Sequence, residues 1–244
     1  MGARSLRWTA VLLGIATVAL LVHGPIAQFE GYHAFADRSV WWGVPHAGDV
    51  FSNAAFAWVA WWGLRRLRAP GRAGKQAVPP GYVLFLVALG LTTIGSAVYH
   101  LAPDDRRLIW DRLPIALACT GLLAGVRADV DSSGGLPLLL LLSVLAMASV
   151  WWWWATNRPG PGDLRPYLLL QTAPLVLVPL WQMQARRSWT ERGAFGLAIA
   201  LYILAKAAEV SDHALYAMLQ PLSGHTLKHL LAAGAAAVIV WARC

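Results

Sequence analysis

Eight apolar runs divide this chain, each close to the roughly 20 residues that a helix needs to cross about 30 Å of hydrocarbon. They are roughly Leu6–Ala27, Asp49–Leu67, Tyr82–Ala102, Leu108–Val126, Leu136–Ala155, Leu164–Met183, Arg192–Asp212 and His225–Ala242, and Pro, Gly and charged clusters separate them. Composition matters at one point. Only 13% of the 244 residues are charged, against about a quarter in soluble domains, so the chain has too little polar surface to stay in water. The expected fold is an all-α membrane protein, a seven-helix transmembrane bundle plus one additional N-terminal transmembrane helix. Residues 1–42 would hold that extra helix and an outer loop, and residues 43–244 the core. We find no internal repeat and no soluble domain.

The first run follows Arg4 and Arg7, as the apolar part of a signal peptide does. It is long, however, and no small-x-small cleavage site follows it, so it reads as a retained helix. The net charge of +8 does not point to nucleic acid, because the arginines sit in short blocks between apolar runs and act as topology signals. Twelve basic residues gather on one face: Arg4, Arg7, Arg65, Arg66, Arg68, Arg72, Lys75, Arg127, Arg186, Arg187, Arg192 and Arg243. Five gather on the other: Arg38, Arg106, Arg107, Arg158 and Arg165. Positive-inside then places both termini in the cytoplasm. Trp41, Trp42 and Trp151 to Trp154 fall at the outer ends, as anchors in the headgroup layer. Cys119 and Cys244 form neither a disulfide framework nor a thiolate metal site.

On that topology the polar residues converge. Ser96 and His100 lie four apart near the outer end of the third run, on one helical face. Asp111 opens the next helix across a tight hairpin, Pro103-Asp104-Asp105. His225 and His229 open the last helix, again four apart. Asp49 opens the second run and His213 closes the seventh, at the same membrane face. A histidine pair at i and i+4 grips one ion, as on zinc-binding helices, and a third histidine from a neighbouring helix completes a three-nitrogen set. Three neutral ligands leave a fourth position open, the arrangement of catalytic zinc. The glutamate of HExxH is missing, since Thr226-Leu227-Lys228 fills the spacing. The base must come from another helix, and Asp111 is the best placed.

Ser96-x-x-x-His100, then Asp111, then His225-x-x-x-His229 resemble the pattern of the alkaline ceramidases and the wider CREST superfamily, which also holds adiponectin-receptor-like membrane proteins. The likeness extends to Asp49-Val50-Phe51-Ser52-Asn53 and to Ser223-Gly224-His225-Thr226-Leu227-Lys228-His229, the latter similar to the bacterial branch. It spans the seven core helices, about Gly43 to Ala242. The resemblance implies zinc on His100, His225 and His229, with Asp111 and Ser96 around the zinc water. It further implies hydrolysis of an amide in ceramide or another N-acyl lipid; the basic bias puts the site on the extracytoplasmic side, in what is expected to be a bacterial inner membrane. In that role Ser96 would hydrogen-bond the water or the developing oxyanion. One departure stands out. Eukaryotic members carry an acidic, Trp-containing calcium site before the first core helix, where this chain offers only Glu30, Asp37, His46 and Asp49.

Other residues have plainer readings. Lys206, Glu209, Asp212 and His213 share a helical face, and a buried ion pair that fixes the helix is preferred there to a substrate contact. Pro114 frees the Trp110 carbonyl, and Pro174 and Pro179 bend the sixth run. Ser52 and Asn53 are expected to hydrogen-bond across helices without a chemical role. Two rivals to a hydrolase remain. A transporter or proton relay would use Lys206, Glu209 and the histidines, but the repeat halves and broken helices expected of one are missing. The other is a receptor-like bundle with zinc held for structure only.

Overall fold

The computed structural model describes residues 3–68, 78–131, 135–158 and 160–244. In chain order the elements are α1 (Ala3–His23), β1 (Val40–Trp41), β2 (Val44–Pro45), α2 (Ala47–Ser52), α3 (Ala54–Arg68), α4 (Pro80–Leu101) and α5 (Asp105–Val130). There follow α6 (Leu136–Thr156), α7 (Arg165–Gln184), α8 (Trp189–Val210), α9 (Asp212–Leu219) and α10 (Gly224–Arg243). Among the described residues five helices are long and apolar enough to cross a membrane: α4, α5, α6, α8 and α10. The chain is a helical, multi-pass membrane protein. Large apolar side chains such as Leu91, Ile94, Leu141, Ile203 and Leu204 are exposed on these helices, where hydrocarbon would cover them. Arg72 and Lys75 of the basic face lie outside the described residues.

The sequence reading missed one hairpin. β1 pairs antiparallel with β2 through Trp42 and Gly43, both at positive φ, 53° and 81°. Two such residues make the tight turn that matches strand twist.

Chain contacts divide the described residues into two units. The first draws on Met1–Glu30, Pro79–Phe85 and Ile115–Arg192. Its joints are polar groups that hydrocarbon cannot satisfy. Trp181 Nε1 donates to Thr9 Oγ1 (2.8 Å) and Tyr82 donates its hydroxyl proton to Asp129 (2.6 Å). Asp163 accepts from the Ile26 N–H, Trp152 Nε1 and the Arg165 guanidinium. Trp153 is fully buried, and its ring lies against Gly162 at φ 75°. It is a core residue, and of the four tryptophans only Trp151 and Trp152 are well exposed.

The second unit draws on Gly31–Val78, Leu86–Pro114 and Gly193–Cys244. Asp104 caps α5 by accepting the Arg107 N–H (2.7 Å). Pro114 cannot donate to the Trp110 carbonyl, and that carbonyl lies against Gly95 of α4, where any Cβ would overlap it. The two helix backbones can approach this closely only at glycine. Gly224 plays the same part at the start of α10, where a Cβ would overlap the Ala208 carbonyl and the Asp212 backbone.

Asp163 lies in the loop between α6 and α7. Burial pushes its carboxyl up, but the hydrogen bonds from Arg165, Trp152 and Ile26 outweigh this and hold it near a pKa of about 2. Asp163→Asn is expected to lower thermal stability in detergent by about 1–3 kcal/mol at neutral pH, the range for hydrogen bonds to a charged group. The folded carboxyl titrates below its unfolded value, so the gap between wild type and variant should be full above about pH 4 and close as pH falls toward 2. Melting curves across that range check it.

Candidate metal centre

The last helix sets the geometry. Its first N–H groups have no partner within the helix. Ser223 caps it, its Oγ accepting from the Thr226 N–H (2.8 Å). Asp212 accepts the His225 N–H on Oδ1 (2.8 Å) and the Ala36 N–H on Oδ2 (2.8 Å). Asp49 on α2 accepts both the Ser223 and the Thr226 hydroxyls on Oδ1, each at 2.7 Å. Three polar side chains therefore fix the first turn of α10, and with it His225 and His229.

His100 of α4 meets that pair. The exposures are 1% for His100, 5% for His225 and 2% for His229. Ring centroids lie 4.6 Å apart for His100 and His225, 4.9 Å for His225 and His229, and 5.2 Å for His100 and His229. One ring nitrogen from each lies within 4.8 Å of the others. Nitrogens bound to zinc at about 2.0–2.1 Å in a tetrahedral set would sit about 3.3 Å apart, so closing on an ion needs shifts of about 1.5 Å or less, within reach of small ring rotations.

Among the described residues, both ring nitrogens of His100 and Nε2 of His229 are buried with no hydrogen-bond partner. Each such atom costs about 1–3 kcal/mol. An ion that accepts lone pairs removes that cost, and the donor set fits zinc. His225 is different, because the Lys228 ammonium lies 2.9 Å from its Nε2. This nitrogen reaches an ion only if Lys228 retreats to Glu209, which it already contacts at 2.8 Å.

Ser96 and Asp111 are both buried, and the Ser96 hydroxyl faces the Asp111 carboxyl. Ser96 stands one helical turn from His100. Asp111 faces Lys228 and Arg112 electrostatically, and the Arg112 guanidinium lies over the Tyr32 ring at 5.3 Å. The expected ion pair is present, Lys206 to Glu209 at 2.7 Å, but it is part exposed rather than buried, and Lys228 joins it. His213 is exposed on α9, apart from the three-histidine cluster. Asp212 joins no ion pair among the described residues and caps α10.

Sequence reasoning missed two parts of the centre. The first is Phe35. Its buried ring packs edge-on at 4.6 Å from both His100 and His225. It belongs to a strap held by Asp212, by His33 against Tyr99 (2.8 Å) and Asp105 (3.0 Å), and by Asp37 against the Ser39 and Asp49 N–H groups. The second is Ser52, 2.8 Å from His229 Nδ1. Its contact across helices was expected and its place against a candidate ligand was not. Asn53 instead donates to the Asp49 and Val50 carbonyls of its own turn. Asp37, His46 and Asp49 all hold protein groups here.

No family model matches this chain, and no curated protein sequence matches it.

Asp212→Ala would leave the His225 and Ala36 N–H groups without acceptors. The expected loss is about 2–6 kcal/mol of stability, at about 1–3 kcal/mol for each stranded donor. Asp212→Asn, which keeps one oxygen, should lose about half as much. Unfolding midpoints in detergent measure both.

Proposed function

We propose that this chain is an integral-membrane, zinc-dependent amidohydrolase that cleaves an N-acyl lipid, with ceramide the first candidate. The observation that carries the reading is the cluster of three buried imidazoles, two of them with partnerless ring nitrogens, one helical turn from the Ser96–Asp111 pair. The resemblance to the alkaline ceramidases supports it. His100, His225 and His229 would hold the ion. When bound, zinc supplies Lewis acidity, polarising a carbonyl and making water a nucleophile at neutral pH.

The residues supply the rest. Ser96 donates to the Asp111 carboxylate and aims it. Asp111 takes a proton from the attacking water and returns it to the amide nitrogen as the C–N bond breaks. The products are a fatty acid and an amine. Phe35 covers His100 and His225, so a lipid must displace it, and the ring excludes water beforehand.

In this reading α1 (21 residues), α7 (20 residues) and α2 with α3 also cross the membrane. At 1.5 Å per residue, 20 residues span about 30 Å. The result is a seven-helix core with an additional first helix, in the bacterial inner membrane. Positive-inside puts both termini in the cytoplasm and the histidines near the outer face. A cytoplasm-dependent reporter fused after Cys244 is expected to be active. An active export-dependent reporter at that position reverses the topology.

A metal held only for structure is the second reading, and the burial of all three ligands favours it. One experiment separates the two. Wild type purified in detergent with zinc supplied should hold about one ion per chain, and His229→Ala should lose most of it. Asp111→Asn should keep the ion, while turnover of ceramides or other N-acyl lipids falls roughly 10²–10⁴-fold. A wild type without metal overturns the site. A variant with full turnover ends the role of Asp111, and a zinc protein inert on every lipid amide supports the structural reading.

A further inference from the structure

Ser52 of α2 lies 2.8 Å from His229 Nδ1. Its own Oγ–H donates to the Asp49 carbonyl at 3.1 Å. A hydroxyl has one proton, so with that proton on Asp49 the serine oxygen meets Nδ1 as an acceptor, and Nδ1 must carry the hydrogen. Nε2 takes no part in this, being the ring nitrogen that is buried with no hydrogen-bond partner.

We infer that Ser52, its own proton held by the Asp49 carbonyl, is the positioning residue that fixes His229 as the Nδ1–H tautomer and presents the Nε2 lone pair to the metal. A ligating histidine commonly donates its other ring N–H to such an acceptor, which locks the ring and raises its basicity. Here the acceptor belongs to α2, whose Asp49 carboxylate also grips the first turn of α10. One short helix therefore sets both the backbone position and the ring orientation of this ligand. His100 has no such orienting partner among the described residues, so the centre depends on His229 for a prearranged lone pair.

The inference rests on the metal reading, and its test separates the two. Zinc affinity is measured by competition with a chelator on wild type, Ser52→Ala and Ser52→Thr in detergent. Nitrogen NMR of histidine-labelled, metal-free protein reports the tautomer, with the His229 signal assigned by its loss in His229→Gln. Ser52→Ala is expected to weaken zinc about 10–100-fold, the usual effect of losing such a partner, while its metal-free melting temperature stays close to wild type. Ser52→Thr keeps the hydroxyl and should restore affinity. Wild-type His229 should carry its proton on Nδ1. A zinc-binding wild type with an equally tight Ser52→Ala variant overturns the role of Ser52 alone, as does a wild-type proton on Nε2. A wild type that binds no zinc overturns the metal reading and this inference together.

Discussion

The start of α10 governs the centre, because hydrocarbon offers its first N–H groups no partner. Ser223 and Asp212 accept the Thr226 and His225 amides, and Asp49 holds the capping hydroxyls from the side. A carboxylate near a helix N-terminus also meets the positive end of the helix dipole, so these interactions reinforce one another. Once that turn is fixed, the 3.6-residue period puts His225 and His229 on one face. Asp212 carries the restraint further. Its second oxygen holds Ala36 beside Phe35, so one carboxylate locates both a candidate ligand and the ring that covers it.

Charge is distributed to match. Glu209 receives both Lys206 and Lys228, and Lys228 touches His225. A dication held by the three histidines would repel an ammonium about 5 Å away by about 7 kcal/mol at an effective dielectric of about 20. Three neutral imidazoles do nothing to offset this. Glu209 and Asp111 supply attraction of the same order, and both act on Lys228. The part-buried Glu209 therefore belongs to the electrostatics of the candidate metal centre as much as to the stability of α8.

Much of this was legible in the sequence for a physical reason. Hydrocarbon thickness and helical period are regular, so apolar runs announce helices and i,i+4 pairs announce faces. Ser96 with His100 and His225 with His229 are such pairs, and Asp111 follows from the hairpin at Pro103. Partners chosen by three-dimensional approach were not legible. Phe35 lies in a loop with no period to read. Ser52 looked like any hydroxyl at a helix end, and only the placement of α2 against α10 gives it a partner. Asp212 falls where a helical pattern continues, yet α8 ends at Val210 and a new helix begins, which turns the side chain into a cap. Trp153 was misread for the opposite reason. A run of four tryptophans suggests an interface, while the helix turns one ring of the four fully inward.

The strap that carries Phe35 gives the buried centre its chemical meaning. A metal site open to water at a membrane surface would hydrolyse or lose whatever it activates, and water would screen the charges that Asp111 and Lys228 bring to bear. A ring packed against two imidazoles removes that water at small cost, because aromatic edges tolerate imidazole faces well. The fastenings of the strap are of unequal strength. His33 and Asp105 are part exposed, so their contact is worth at most about 1 kcal/mol, whereas Asp212 and Asp37 hold backbone amides in full burial. The strap is thus anchored firmly from Ala36 onward and lightly before it. Displacing Phe35 at the weak end would expose His100 and His225 together without disturbing the caps that hold α10.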